Sequence, residues 1–179
     1  MSFCPQCGQP MRQRVPAGDN RKRSVCDACD YIHYENPRLV LGAVLEWQGD
    51  ILLCRRAIEP RYGLWTLPAG FMENRESTED AAARESREEA HAHANQMQLF
   101  TLIDVPGISQ VHVFYRGVLR DGQHSPGAES LETALFSEER IPWPQLAFQS
   151  VRLTLEHYFA DRRAGEFKIR KLSARVSGN

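Results

Sequence analysis

The chain has 179 residues, with 22 Lys and Arg against 23 Asp and Glu and a formal net charge of −1. At 42% hydrophobic and 25% charged residues, it has an ordinary globular composition and a length that suits one compact domain plus a small appendage. A pI near 6.6 gives no global basic footprint for nucleic acid, and no apolar run approaches the roughly 20 residues that span a bilayer.

The first predicted element is a metal ribbon. Cys4-Pro5-Gln6-Cys7-Gly8 and Cys26-Asp27-Ala28-Cys29 are two C-x2-C knuckles separated by the length of a zinc ribbon. Four thiolates suit tetrahedral Zn²⁺ and leave no open coordination position. Cys4, Cys7, Cys26 and Cys29 are therefore expected to hold a structural Zn²⁺. Disulfides are the competing reading. Met1-Ser2-Phe3 leads straight into the first knuckle with nothing resembling a signal peptide, which points to a cytoplasmic setting where thiols stay reduced. Arg21-Lys22-Arg23 lies in the polar hairpin-and-loop run between the knuckles. It permits nucleic-acid binding, but the charge balance of the whole chain argues against it.

Asn36-Pro37 marks a boundary. The expected organisation is a ribbon over 1–35, a main domain over 36–165 and a polar tail over 166–179. Arg38 to Glu46 reads as a central strand, Gln48-Gly49-Asp50 as a turn, and Ile51 to Arg56 as a second strand with Cys54 buried in it. A loop from Ala57 to Gly63 leads to a helix that starts near Ser77, where Ser77 with Asp80 resembles a capping box. Strands follow at Leu99 to Val105 and, with alternation around Val111, Val113 and Tyr115, at Gln110 to Leu119. A short strand is expected at Ala134 to Ser137. A final helix, about Gln149 to Arg163, shows an apolar stripe at Val151, Leu155 and Phe159.

The chemistry concentrates on the first helix. Glu85, Glu88 and Glu89 are spaced i, i+3, i+4 and share one face. Like charges at that spacing destabilise a helix by roughly 0.2–0.5 kcal/mol. Unit charges about 4 Å apart near a protein surface repel by roughly 1–4 kcal/mol. A hard divalent cation reverses the sign of that cost, so the face reads as a Mg²⁺ or Mn²⁺ site built from oxygen ligands. A solvated charged helix is the bland alternative.

The stretch Gly70 to Ala92 resembles the Nudix box, G-x5-E-x7-R-E-U-x-E-E-x-G-U, with U aliphatic. Gly70, Glu76, Arg84, Glu85, Glu88 and Glu89 fall on its fixed positions. Leu64-Trp65-Thr66-Leu67-Pro68-Ala69-Gly70 is similar to the family's run into the box, with Ala69 where Gly is common. Ser86, His91 and Ala92 depart from the pattern. His91 replaces the family's helix-ending Gly, so the helix is expected to run on toward Asn95. Ser86 stands at a core-facing position and has no explanation in the sequence.

The resemblance implies an α/β fold, the Nudix α/β/α sandwich with a mixed sheet, preceded here by the small zinc ribbon. It implies a homodimer. It also implies that Glu85, Glu88 and Glu89, with the Ala69 carbonyl, ligate Mg²⁺ or Mn²⁺, while Arg84 orients the carboxylates through a bidentate pair and Glu76 steadies the loop and helix.

A ribbon ahead of a Nudix domain resembles two groups. The NADH pyrophosphatases carry an S-Q-P-W-P-F-P-x-S run after the box, and here that region reads Ser109-Gln110-Val111-His112. A group of smaller ribbon-bearing hydrolases, including a plant chloroplast FAD and ADP-ribose diphosphatase, is more similar. The implied reaction is hydrolysis of a small-molecule dinucleotide at its diphosphate, with FAD, ADP-ribose and NADH as candidates and AMP released. Competing functions are a non-catalytic dinucleotide sensor with a nucleic-acid-binding ribbon, and a house-cleaning nucleoside triphosphatase.

Substrate contacts are nominated from position. Arg55 and Arg56 end a strand, and alternation lets only one point inward. Trp65, with Tyr62, Phe71 and Tyr115, is a candidate for stacking on a base, against the ordinary reading of core aromatics. Glu129 and Glu132 are placed in a late loop, as a base or metal ligand or as exposed acids. His112 is expected to face outward.

Overall fold

A computed structural model describes residues 1–175. The chain divides into two compact units, Met1–Asn36 and Pro37–Asn179.

In the first unit, β1 (Met11–Arg14), β2 (Arg23–Cys26) and β3 (Ile32–His33) form a three-stranded antiparallel sheet. The knuckles are tight turns closed by backbone bonds, Gly8 N–H to Cys4 O at 2.9 Å and Cys26 N–H to Tyr31 O at 2.9 Å. Gly8 takes the left-handed conformation its turn requires, at φ 73°. The basic cluster is partly engaged, since Arg23 bonds Asp19 at 2.9 Å and lies over the Tyr34 ring.

The second unit is built on an eight-stranded sheet. Its strands are β4 (Arg38–Trp47), β5 (Asp50–Arg56), β6 (Trp65–Thr66), β7 (Ala69–Phe71), β8 (Ala94–Val105), β9 (Gln110–Leu119), β10 (Ser130–Phe136) and β11 (Arg170–Ser173). The main order is β10-β5-β4-β9-β8-β11, with β6 on β5 and β7 on β4. The β4/β9 and β8/β11 pairs are parallel and the rest antiparallel, so the sheet is mixed.

Two helices cover its faces. Helix α1 (Thr78–Ala90) packs Ala81 and Ala82 on Leu41, Val113 and Tyr115, and Ala90 on Ala43, Leu45, Leu52 and Cys54. Helix α2 (Gln149–Ala164) packs Val151, Leu155, Tyr158 and Phe159 on Val44, Phe100, Ile103 and Phe114. Alternate residues of β4 thus serve opposite helices, as a two-sided sheet demands, and the α/β/α expectation is met.

The tail differs from expectation. Arg170–Ser173 adds a parallel strand to the edge of the sheet, and Arg170 pairs with the buried Asp161 of α2 at 2.5 Å. Edge strands need no apolar period, because ladder bonds and one ion pair hold them. The end of the expected tail, 176–179, lies outside the described residues.

Candidate active site

The four cysteine Sγ atoms of the first unit lie within 4.8 Å of one another. Cys4 and Cys29 are 3.6 Å apart and Cys7 and Cys26 3.5 Å, far beyond a disulfide of about 2.05 Å. A tetrahedron with Zn–S bonds of about 2.3 Å has edges of about 3.8 Å. The thiols are free, and this donor set fits a closed structural Zn²⁺ site.

In the second unit, β4 pairs with β5 over only two residues before turning to β7, while β5 turns to β6 and β10. A cavity of about 650 Å³ is lined from both sides of that gap. Glu85, Glu88 and Glu89 reach it from α1, Ala69, Gly70 and Phe71 from β7, Arg56 from β5, His112 from β9, and Phe148 and Ser150 from the start of α2.

The box helix is fixed at both ends. Ser77 Oγ accepts the Asp80 N–H and donates to its carboxylate at 2.6 Å. The other end corrects the expectation for His91. The helix stops there, with His91 itself left-handed at φ 46° and its N–H bonded to Arg87 O at 2.9 Å. His91 Nδ1 meets Ser125 Oγ at 2.9 Å, and the amides of Ser125 and Gly127 cap Ala90 O and Glu89 O. A loop thus holds His91 in a conformation usually left to Gly. A Cβ on Gly127 would collide with the Glu88 carbonyl, so this close approach requires glycine.

The other departures also resolve. Ser86 is fully buried and its hydroxyl donates to Ala82 O at 2.8 Å, one turn back, leaving no unpaired group. Ala92 is fully buried in a cluster with Ala43, Leu45, Leu52, Cys54, Ala90 and Leu119. Ala69 is tolerated because its cross-strand partner is Gly42, where a Cβ would stand 2.5 Å from the Ala69 Cβ.

Arg84 organises the acids. It forks onto Glu76 at 3.0 and 2.8 Å, bonds Glu85 at 2.7 Å, Glu88 at 2.9 Å and the Phe71 carbonyl at 3.0 Å. The bidentate partner is therefore Glu76, whose carboxyl is pulled down to about 2 by the Arg84 guanidinium and the Glu73 N–H. Glu89 is buried and accepts the Ala69 N–H at 3.0 Å. Burial pushes its carboxyl up to about 7, reinforced by the charge of Glu85. The Glu85 carboxyl is raised for the same first reason.

Among the described residues, only the four cysteines bring three or more ligand atoms within 4.8 Å of one another. The glutamates are spread more widely, and Arg84 Nη1 stands between Glu85 and Glu88. Buried, mutually repelling oxygen donors on a cavity wall are nonetheless the chemistry a hard divalent cation satisfies.

The nominated substrate residues separate. Arg56 is buried, lines the cavity, bonds Pro60 O at 2.9 Å and lies over the Phe148 ring. Arg55 points away, bonded to Gly63 O and within 3.6 Å of Glu132. Glu132 belongs to β10, directly across from Arg55, and not to the late loop. Glu129 lies in that loop and lines the cavity.

Trp65 does not line it. It is buried in the core, edge-on to Phe136 with ring centroids 4.9 Å apart. Tyr62 is exposed away from the cavity and Tyr115 is buried against α1, so Phe71 alone of the four aromatics reaches the site. His112 reverses expectation, being buried, facing inward and bonded to Ser150 and Gln110. Phe114 and Phe148 also line the cavity, though neither is among the nominated substrate contacts.

Comparison with known proteins agrees with this fold. The family model for the NUDIX domain matches residues 36–158, and the zinc-ribbon model described as Nudix N-terminal matches residues 2–35. A crystal structure of a NUDIX hydrolase from Nitrosomonas europaea is 42% identical and superposes with a TM-score of 0.94, covering 98% of this chain and 100% of that one. The NAD-capped RNA hydrolase NudC of Stutzerimonas stutzeri is 32% identical over 164 residues, which is 89% of this chain and 56% of that protein. The human 8-oxo-dGDP phosphatase NUDT18 is 32% identical over 120 residues, 64% of this chain and 36% of that protein. The chain spans about half the length, or less, of these two curated relatives.

Proposed function

Since the chain belongs to the Nudix hydrolase family, with a zinc ribbon ahead of the catalytic fold, we propose that it hydrolyses the diphosphate of a nucleoside diphosphate linked to a second group, releasing AMP. FAD, ADP-ribose and NADH are the candidate substrates. The observation that carries this reading is the set of Glu85, Glu88 and Glu89 on one cavity wall, with the buried Arg56 lining the same cavity.

Mg²⁺ or Mn²⁺, when bound, would supply charge neutralisation for the diphosphate and a lowered pKa for the attacking water. Glu85, Glu88 and Glu89 would hold it, with the Ala69 carbonyl beside them. Arg84 fixes the carboxylates from behind, a positioning role. Arg56 offers its guanidinium to a diphosphate oxygen, and Phe148 and Pro60 hold it in place. Glu129 faces the cavity from the loop capping α1, where it can take a proton from water or add a ligand. Water adds to one phosphorus, the bridging P–O bond breaks, and two phosphate monoesters leave.

Reduced thiols held for Zn²⁺ support a cytoplasmic location, and the family resemblance supports a homodimer. Among the described residues, no helix is long and apolar enough to cross a membrane. The names of the relatives define the other outcomes. A capped RNA would be the substrate if an NAD-capped RNA were cleaved at its cap diphosphate and free dinucleotides were not. A single nucleotide would be the substrate if inorganic phosphate or pyrophosphate were released. The direct test is Glu88→Gln and Glu89→Gln. Loss of Mg²⁺-dependent AMP release in both supports the reading, and full activity in both rejects it.

A further inference from the structure

One wall of the cavity is used by none of the groups above. His112 Nδ1 lies 2.8 Å from Ser150 Oγ, and His112 Nε2 lies 2.9 Å from Gln110 Oε1. All three residues line the cavity, and His112 and Ser150 are buried. Resting on the dinucleotide reading, we propose that Ser150, His112 and Gln110 form a one-way hydrogen-bond relay that presents the Gln110 amide as a donor to a carbonyl oxygen on the second, non-AMP half of the substrate.

The direction follows from hydrogen-bond accounting. Among the described residues, the Ser150 hydroxyl has no acceptor other than His112 Nδ1. Were the relay reversed, that buried hydroxyl hydrogen would be left unpaired, at a cost of about 1–3 kcal/mol. Ser150 therefore donates, Nδ1 accepts, and the proton of a neutral imidazole sits on Nε2. Burial holds the ring neutral, drawing its pKa down to about 4. Nε2–H then donates to Gln110 Oε1, and this consumes the acceptor end of the carboxamide. The two amide hydrogens of Gln110 have no partner among the described residues, and the side chain is only partly covered.

The surroundings define what is read. Val40 sits in register beside His112 on the neighbouring strand, Phe114 lies edge-on to the imidazole, and Ile108 is half exposed at the same wall. Apolar surface with one donor pair suits a flat conjugated ring that carries a carbonyl. The isoalloxazine of FAD and the carboxamide of NADH supply one, and the terminal ribose of ADP-ribose does not.

The test uses Gln110→Leu in the full zinc-loaded chain. Steady-state hydrolysis with Mg²⁺ and calorimetric binding in a Glu89→Gln background are measured for FAD, NADH and ADP-ribose. One lost hydrogen bond predicts KM and Kd about 5- to 10-fold higher for FAD and NADH, with kcat within about twofold and ADP-ribose unchanged. Gln110→Glu, which offers only acceptors, weakens the same two ligands further. His112→Phe, a change at a positioning residue, produces the same selectivity with a smaller loss. Equal weakening of all three ligands places this wall against the AMP half and overturns the proposal, as does no weakening of any. If binding shows the selectivity while the parent chain releases no AMP, the hydrolase reading fails and the relay stands.

Discussion

A Cβ added to Gly70 would stand 2.5 Å from Cδ of Glu85, so the first glycine of the box leaves room for the first glutamate of its carboxylate face. The obstructing atoms belong to the movable end of a side chain, and Gly70 is not left-handed. Gly70→Ala should therefore fold, with thermal stability close to the parent, while Glu85 is pushed off its position. A displacement of about 1 Å at a catalytic group costs on the order of 10²-fold. The expected result is that loss in kcat/KM with an unchanged melting temperature. A variant that melts early shows that the glycine serves the fold instead.

The two adjacent arginines give a second contrast. Arg56 faces the cavity and Arg55 faces solvent beside Glu132. Arg56→Ala should lower kcat/KM by about 10- to 100-fold, the range of a charge-assisted contact worth about 1.5–3 kcal/mol. Arg55→Ala should change it less than about threefold, because exposed ion pairs contribute little. Kinetics on the two single variants decide it, and equal losses would contradict the assignment.

Arg84 binds Glu76 through two nitrogens, which a lysine cannot reproduce. Arg84→Lys keeps the charge but releases the fork, and should raise the Mg²⁺ concentration for half-maximal rate by about 10- to 100-fold. A metal titration of the initial rate measures this. An unchanged titration midpoint would remove Arg84 from the positioning of the acids.

His112 sets a pH signature. Its folded-state pKa is about 4, against an ordinary value of 6.5. Between those values the unfolded chain binds a proton that the folded chain does not, so this group makes stability rise with pH. The contribution is complete above about pH 6.5 and is lost as pH falls toward 4, with a limiting slope of about 1.4 kcal/mol per pH unit. His112→Gln removes the proton but keeps polar partners for Ser150 and Gln110. Denaturant unfolding from pH 4 to 7 should show the parent losing stability faster than the variant as pH falls. Parallel curves would contradict the buried neutral imidazole.

Much of this was legible in the sequence, for identifiable reasons. The carboxylate face needs only helical spacing, and the strands β4, β5 and β9 announce themselves by apolar content and alternation. The residues missed depend on contacts distant in sequence. His112 looked outward because Val111 and Val113 look inward, yet this sheet is covered on both faces, so alternation does not identify a solvent side. His91 needed Ser125 to hold a turn it would not choose alone. Trp65 reads equally as a stacking platform or a core residue until Phe136 is placed against it. Arg170–Ser173 has no pattern of its own and is a strand only because β8 offers a free edge.

Cleavage of a diphosphate between AMP and a second group in this cavity is read most plainly from the identity of the products. FAD, ADP-ribose and NADH are each incubated with the zinc-loaded chain and Mg²⁺, and the products are resolved by chromatography, with Glu89→Gln alongside. AMP and the second monophosphate are expected in equal amounts from at least one of them. Release should fall on the order of 10³-fold in Glu89→Gln, since metal-held charge stabilisation is worth several kcal/mol. Absence of AMP from all three, or AMP release undiminished in Glu89→Gln, would contradict it.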